Sequence, residues 1–158
     1  MIRPYRPADF DALVEITIRA FDGVSIDQNI ERRFGPINGV GWEERKGRHL
    51  ERDVTANPRG VLVYEEDGGP AGFVACRFDR RTAIGWIPNL AVHPDHQGRG
   101  IGRRLMEAAL DYLREQGMRF VRIETLEQNA RCAAFYPRLG FQEVGRQIHY
   151  ILPLGSGS

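Results

Sequence analysis

Gln97-Gly98-Arg99-Gly100-Ile101-Gly102 sets three glycines and an arginine just ahead of a long amphipathic run. In that run Ile101, Leu105, Ala109, Tyr112 and Leu113 recur at helical spacing, with Arg103, Arg104, Glu107, Asp111, Arg114 and Glu115 on the opposite side. The pattern predicts a helix from about 100 to 116, ended by Gly117. The first amides of a helix have no intrahelical carbonyl to meet, and the aligned peptide dipoles put partial positive charge there. Glycines at such a start let the backbone turn and let an anion approach without meeting a Cβ. The chemistry this offers is an anion cradle of main-chain amides, with Arg99, Arg103 and Arg104 adding charge. A dinucleotide fingerprint starting at Gly98 would need Gly or Ala where Arg103 stands, and a P-loop would need a lysine that is not there. Glycines that serve only a tight strand-to-helix turn are the other reading of this segment.

The elements around the cradle read as mixed α/β. Residues 2 to 6 form a short strand, and Asp9 stands as N-cap of a helix from 10 to about 21 with Leu13, Ile16, Thr17 and Ala20 on one stripe. Two helices follow, near 26 to 34 and 42 to 56, the second closed by Asn57-Pro58. Three strands come next, at 60–65, 71–78 and 83–92, the first two joined by a hairpin turn at Glu66-Asp67-Gly68-Gly69. Pro88 lies inside the third and cannot donate to a ladder, so that strand must bulge or leave its neighbour there. A strand at 120–125, a helix capped by Asn129 and ended by Gly140, and one bent strand or two short ones over 142–152 complete the chain.

Composition narrows the function classes. The 158 residues suit a single domain, taken as 1–154, with Gly155 to Ser158 resembling a linker or tag remnant. A net charge of +1 gives no overall field for nucleic acid or an anionic membrane, and no apolar run is long enough to span a bilayer. Cys76 and Cys132 lie far apart in no metal-binding spacing, which leads us to expect reduced thiols, a cytoplasmic protein and no metal. The N-terminus has no signal-peptide pattern and reads as mature protein. His93 and His96 read as surface turn residues. Only Lys46 among the 22 Lys and Arg residues is a lysine, so phosphate binding would rest on guanidinium groups and amides.

The stretch Leu90 to Leu105 resembles motif A of the GNAT superfamily of N-acetyltransferases, whose Gln/Arg-x-x-Gly-x-Gly/Ala pattern is met by Gln97, Gly100 and Gly102. Asn129 to Phe141 is similar to motif B, Asn-x-x-Ala-x-x-Phe/Leu-Tyr-x-x-x-Gly-Phe. The two stand in the family's order, and the resemblance covers about residues 60 to 150 well and the N-terminal third in outline. It implies a GNAT-type acyl-CoA N-acyltransferase fold: a central mixed sheet of six to seven strands, about four flanking helices and a strand bulge near Pro88. It implies acetyl-CoA as cosubstrate and an amine as acceptor. The cofactor contacts it implies are Leu90, Ala91 and Val92 for the pantetheine arm, Gln97, Gly98, Arg99, Gly100, Ile101, Gly102 and Arg103 for the pyrophosphate, and Asn129, which is also an N-cap.

Acetyl transfer to an amine needs a deprotonated amine, donors for the developing oxyanion and a proton or hydrogen bond for the leaving thiolate. The resemblance assigns the oxyanion contact to the Leu90 amide and the thiolate contact to Tyr136. On its helix Cys132, Phe135 and Leu139 form the core stripe, with Tyr136 about 100° round from Phe135. Pro137 removes a helical bond beside Tyr136. Glu124, at the spacing from Tyr136 that bacterial N-terminal acetyltransferases of the superfamily show, is the base candidate; an ion pair with Arg122 or Arg119, or ordered water as base, stands beside that reading.

The resemblance implies an acceptor pocket built largely from the segment after the first helix, about 22 to 56, whose nearly balanced charge disfavours a polycation. The acceptor is expected to be a primary amine of a small molecule or an amino-acid-like compound. A peptide N-terminus or lysine is the alternative, and a non-catalytic acetyl-CoA sensor is a third. A final strand also has the means to pair across a homodimer.

Overall fold

The computed structural model describes residues 1–155, so that part of the expected linker, residues 156–158, lies outside it. A five-stranded sheet runs in the order β1 (Ile2–Pro4), β2 (Val61–Glu66), β3 (Gly69–Asp79), β4 (Ile84–Val92), β5 (Phe120–Arg122). The first four strands pair antiparallel and β4 pairs parallel with β5. Helices α1 (Phe10–Ala20) and α3 (Trp42–Ala56) cover one face, with α2 (Ile26–Phe34) against α3. Helix α4 (Ile101–Glu115) covers the other face, and α5 (Ala130–Arg138) follows β5.

Each face has its own core. Leu13 and Ile16 of α1 and Leu50 of α3 meet Val61, Val63, Phe73, Ala75 and Ala91 of the sheet. Ile101, Leu105, Met106, Ala109 and Leu113 of α4 meet Val74, Cys76 and Ile87. In the β2–β3 hairpin Asp67 and Gly68 have φ of +53° and +80°, the conformation a two-residue turn demands. Asp9 does not cap α1. Its carboxylate receives the Arg3 guanidinium at 2.8 Å and the Arg6 amide, because an arginine one strand away outcompetes a helical amide for a carboxylate.

The break expected at Pro88 is a bulge. Ala75 pairs with Asn89 but Arg77 pairs with Trp86, so β4 spends three steps where β3 spends two. The extra residue reverses the alternation: Gly85 and Ile87 face α4, whereas Asn89 and Ala91 face α3 and α1. On the other side β5 meets β4 only from Ile84 to Trp86, and the two strands part beyond that point.

The C-terminal expectation is corrected. Residues 142–155 form no strand and are all exposed, which leaves, among the described residues, five strands rather than six or seven and five α-helices rather than about four. Strand propensity produces a strand only where an edge accepts it, and among the described residues this stretch makes no backbone hydrogen bond to the rest of the chain.

Candidate active site

Gly98 and Gly100 both adopt left-handed angles, φ +78° and +79°, and a Cβ on either would meet no atom within 4 Å. The turn therefore requires glycine for its backbone and leaves open space in front of it. Gly100 is the N-cap of α4, whose first bond runs from the Arg104 amide to the Gly100 carbonyl at 3.1 Å. The amides of Ile101, Gly102 and Arg103 consequently have no helical acceptor. Ile101 is buried beneath them and anchors the helix start. A Cβ at Gly102 would touch Phe135 of α5 at 3.8 Å and Val92 at 3.9 Å, so cradle, α5 and β4 converge here.

The arginines divide their tasks. Arg99 turns back to Glu66 at 2.9 Å and lies 3.1 Å from His96 Nδ1, and these neighbours hold the Glu66 carboxyl below its usual range. Arg104 donates to the Tyr64 hydroxyl. Arg103 is exposed, with Glu107 at 3.6 Å. Arg131 of α5, which the sequence reading missed, donates to Gln97 Oε1 while Gln97 Nε2 donates to the Val92 carbonyl at 2.9 Å. The signal for Arg131 was its place two residues after the Asn129 cap, on the turn of α5 nearest the cradle.

Beyond the bulge, the His93 amide bonds the Ala71 carbonyl of β3. By the alternation of an antiparallel ladder Ala91 shares that phase, and the amides and carbonyls of Leu90 and Val92 point to the side that β5 has left. Gln97 reaches the Val92 carbonyl from that side. The Leu90 amide and carbonyl and the Val92 amide, which face away from β3, thus lie beside the cradle, while the Val92 carbonyl is taken by Gln97.

Tyr136 packs between Phe135 and Phe141, ring centroids 5.6 and 5.8 Å away, on the α4 side of the sheet. Burial pushes its hydroxyl well above the ordinary phenol value, and the Cys132 thiol beside it adds to the shift. The hydroxyl therefore keeps its proton at neutral pH. Asn129 caps α5 through its side chain, which accepts the Cys132 amide at 3.2 Å. Glu124 accepts from Trp86 Nε1 at 2.7 Å and from Arg122 at 3.0 Å, so its two oxygens already have donors.

The acetyltransferase (GNAT) family model matches residues 26–141. The chain belongs to the GNAT acetyltransferase family. An uncharacterised N-acetyltransferase of Archaeoglobus fulgidus is 32% identical over 133 residues, 81% of this chain and 83% of the relative. Mycothiol acetyltransferase of Rhodococcus jostii is 30% identical over 164 residues, 94% of this chain and 53% of the relative. The chain thus spans about half the length of several relatives it matches. The PaiA N-acetyltransferase of Thermoplasma acidophilum, solved in complex with coenzyme A, superposes with a TM-score of 0.72 at 19% identity, over 90% of this chain and 89% of that one.

This GNAT domain carries a polar cluster under the bulge that sequence reasoning missed. Asn89 donates to Asp53 of α3, Arg77 donates to the other Asp53 oxygen at 2.8 Å, and Lys46 lies 3.4 Å from Asn89 Oδ1. Lys46 also sits 3.9 Å above the Phe21 ring and 3.3 Å from His49, whose Nε2 is 3.4 Å from Asp27. Burial pushes the Asp53 carboxyl up against the pull of Asn89 and Arg77, and pushes Lys46 and His49 down. These contacts join residues far apart in sequence, and no local pattern announced them. Among the described residues no group of three or more His, Cys, Asp or Glu is placed to hold a metal, and no helix is long and apolar enough to cross a membrane.

Proposed function

We propose that this GNAT domain transfers the acetyl group of acetyl-CoA to a primary amine of a small or amino-acid-like molecule by direct attack. The observation that carries the reading is the run of main-chain groups facing away from β3, at Leu90 and at the Val92 amide, that leads to the glycine cradle. Amides at the α4 start take the pyrophosphate, aided by Arg103 and by Arg131 through Gln97. Gly98 and Gly100 admit it because no Cβ fills the space. Leu90 and Val92 bond the pantetheine amides, and the Leu90 amide donates to the oxyanion that develops on the thioester carbonyl. Tyr136, held protonated by burial, donates to the departing sulfur. Glu124, held between Trp86 and Arg122, takes the ammonium proton directly or through water.

The contacts of Gln128 favour a small acceptor. Its side chain donates to the Gly23 carbonyl at 2.7 Å and accepts from Asn29 at 2.8 Å, tying the β5–α5 loop to the α1–α2 turn. A shallow, open depression lined by Arg77, Asp79, Thr82, Ile84, Trp86 and Arg122 lies where β4 and β5 are still paired, next to Glu124, and offers room for a small molecule at the surface.

Thiol release from acetyl-CoA, measured across amino acids, small amines and peptides, tests both parts. Turnover is expected with small amines, and Tyr136→Phe should lower kcat by about 100-fold or more with coenzyme A affinity nearly unchanged. Acetylation of peptides alone would replace the acceptor assignment. Binding of coenzyme A with no turnover on any amine would replace catalysis with sensing.

A further inference from the structure

The largest unexplained feature lies outside the site. Val144, Ile148, Tyr150, Leu152 and Leu154 are 99%, 78%, 89%, 77% and 89% exposed. With Arg146 they occupy every second position from 144 to 154, the period of a strand that covers one face of a sheet. A single exposed apolar residue is ordinary, but an aligned row marks a surface that belongs against another. The last backbone hydrogen bond of the described chain is from the Phe141 amide to the Tyr136 carbonyl. Beyond it the arm is tied only by the Arg146 ion pairs to Glu143 and Glu127.

The fold shows a matching deficit. Strand β5 pairs only with β4, its outer edge is open, and Phe120 there is 69% exposed. Helix α5 has no fully buried residue, although Cys132, Phe135, Tyr136 and Leu139 all lie on its inner side. Such an edge is normally blunted by charge, proline or a covering element; here Arg122 supplies charge, but among the described residues neither a proline nor another element covers it. The missing cover is the length of strand that the arm carries unpaired.

We propose that the arm, Gln142–Leu152, adds to the β5 edge of a second copy of this chain, which returns its own arm, so that two copies complete each other's sheets beside the candidate site. Each copy carries one arm and one open β5 edge, so reciprocal exchange about a two-fold axis gives each arm one edge to pair with. Gly140, at φ +94°, and the Phe141 bond to Tyr136 fix where the arm departs, and from there none of its backbone meets the chain's own β5. Fully extended, it reaches roughly 36 Å at about 3.3 Å per residue, enough to cross to a neighbour. Arm and receiving edge together supply on the order of 20 residues a side, the size of a stable interface. The strand added to β5 would also shield the α5 face that holds Tyr136, so the site of one copy depends on the chain of the other.

Sedimentation and amide hydrogen exchange of the full chain, followed together over a dilution series, test this. The expected result is a dimer of 17.9 kDa subunits whose arm amides are protected, with protection lost as dilution separates the subunits. An I148D/L152D double variant, altered only at side chains exposed in the single chain, should be monomeric with its core amides still protected. A monomer at 100 μM would overturn the proposal. So would arm protection that survives dilution, which means pairing with the chain's own β5, or a double variant that remains dimeric, which places the contact elsewhere.

Discussion

Gly100 and Gly117 stand at the two ends of α4 with left-handed angles of +79° and +87°, and a Cβ on either would meet nothing within 4 Å. Alanine at either position therefore carries the same backbone cost, about 1–2 kcal/mol for an L residue in the left-handed region. In a chain of this size that lowers Tm by about 2–8 °C. The 15-residue helix and its flanking residues separate the two positions by roughly 25 Å. Only Gly100 faces the cradle, where a methyl group would occupy the space in front of the α4 amides. Losing one charge-assisted hydrogen bond there costs about 1.5–3 kcal/mol, a loss of affinity of roughly 10- to 150-fold. Thermal unfolding and calorimetric titration with coenzyme A read the two quantities separately. The expected outcome is similar Tm losses in Gly100→Ala and Gly117→Ala, with weakened coenzyme A binding in Gly100→Ala alone. Affinity within twofold of the parent in Gly100→Ala, or an equal loss in Gly117→Ala, would refute the cradle.

Burial holds the Cys76 thiol up at about 12 against an ordinary value of 9.0, so its contribution to stability is full below pH 9 and is lost as pH rises from 9 toward 12. Urea unfolding between pH 9 and 11 should show Cys76→Ala losing stability less steeply than the parent, by about 1.4 kcal/mol per pH unit; equal slopes would remove the assignment. Asp53→Ala strips the Asn89 amide and the Arg77 guanidinium of their shared partner at a site that is 2% exposed, and should cost about 3 kcal/mol in urea unfolding. A loss below about 1 kcal/mol would mean the bulge stands without that cluster.

The elements whose own residues specify them were legible. Helix α4 was readable because apolar spacing, an N-terminal glycine turn and Gly117 all lie within 20 residues, and its buried set is nearly the predicted stripe. The β2–β3 turn and the bulge were readable because Asp67-Gly68 and Pro88 act on their own backbone. The roles given to the arginines were less legible. Arg99 looked like a phosphate ligand from its place in the turn, but in space it faces Glu66 of the neighbouring hairpin. Arg131 was given no role, yet it reaches Gln97. A guanidinium's partner is set by whichever carboxylate or carbonyl the fold brings within reach, and that depends on the packing of separate elements.

What the sequence determined by itself was the kind of site: a turn that only glycine can make, at the start of a helix, beside a strand that proline forbids from pairing evenly. These are consequences of local backbone sterics and survive any packing. The tertiary structure alone decided that β4 and β5 part after Trp86, that Asn89 turns toward Asp53 and Lys46, and that Gln128 bridges to Gly23 and Asn29. It also decided that residues 142–152, though patterned as a strand, take no place in their own sheet. Such features need hydrogen-bond partners distant along the chain, and propensity at one position carries no information about what stands opposite it.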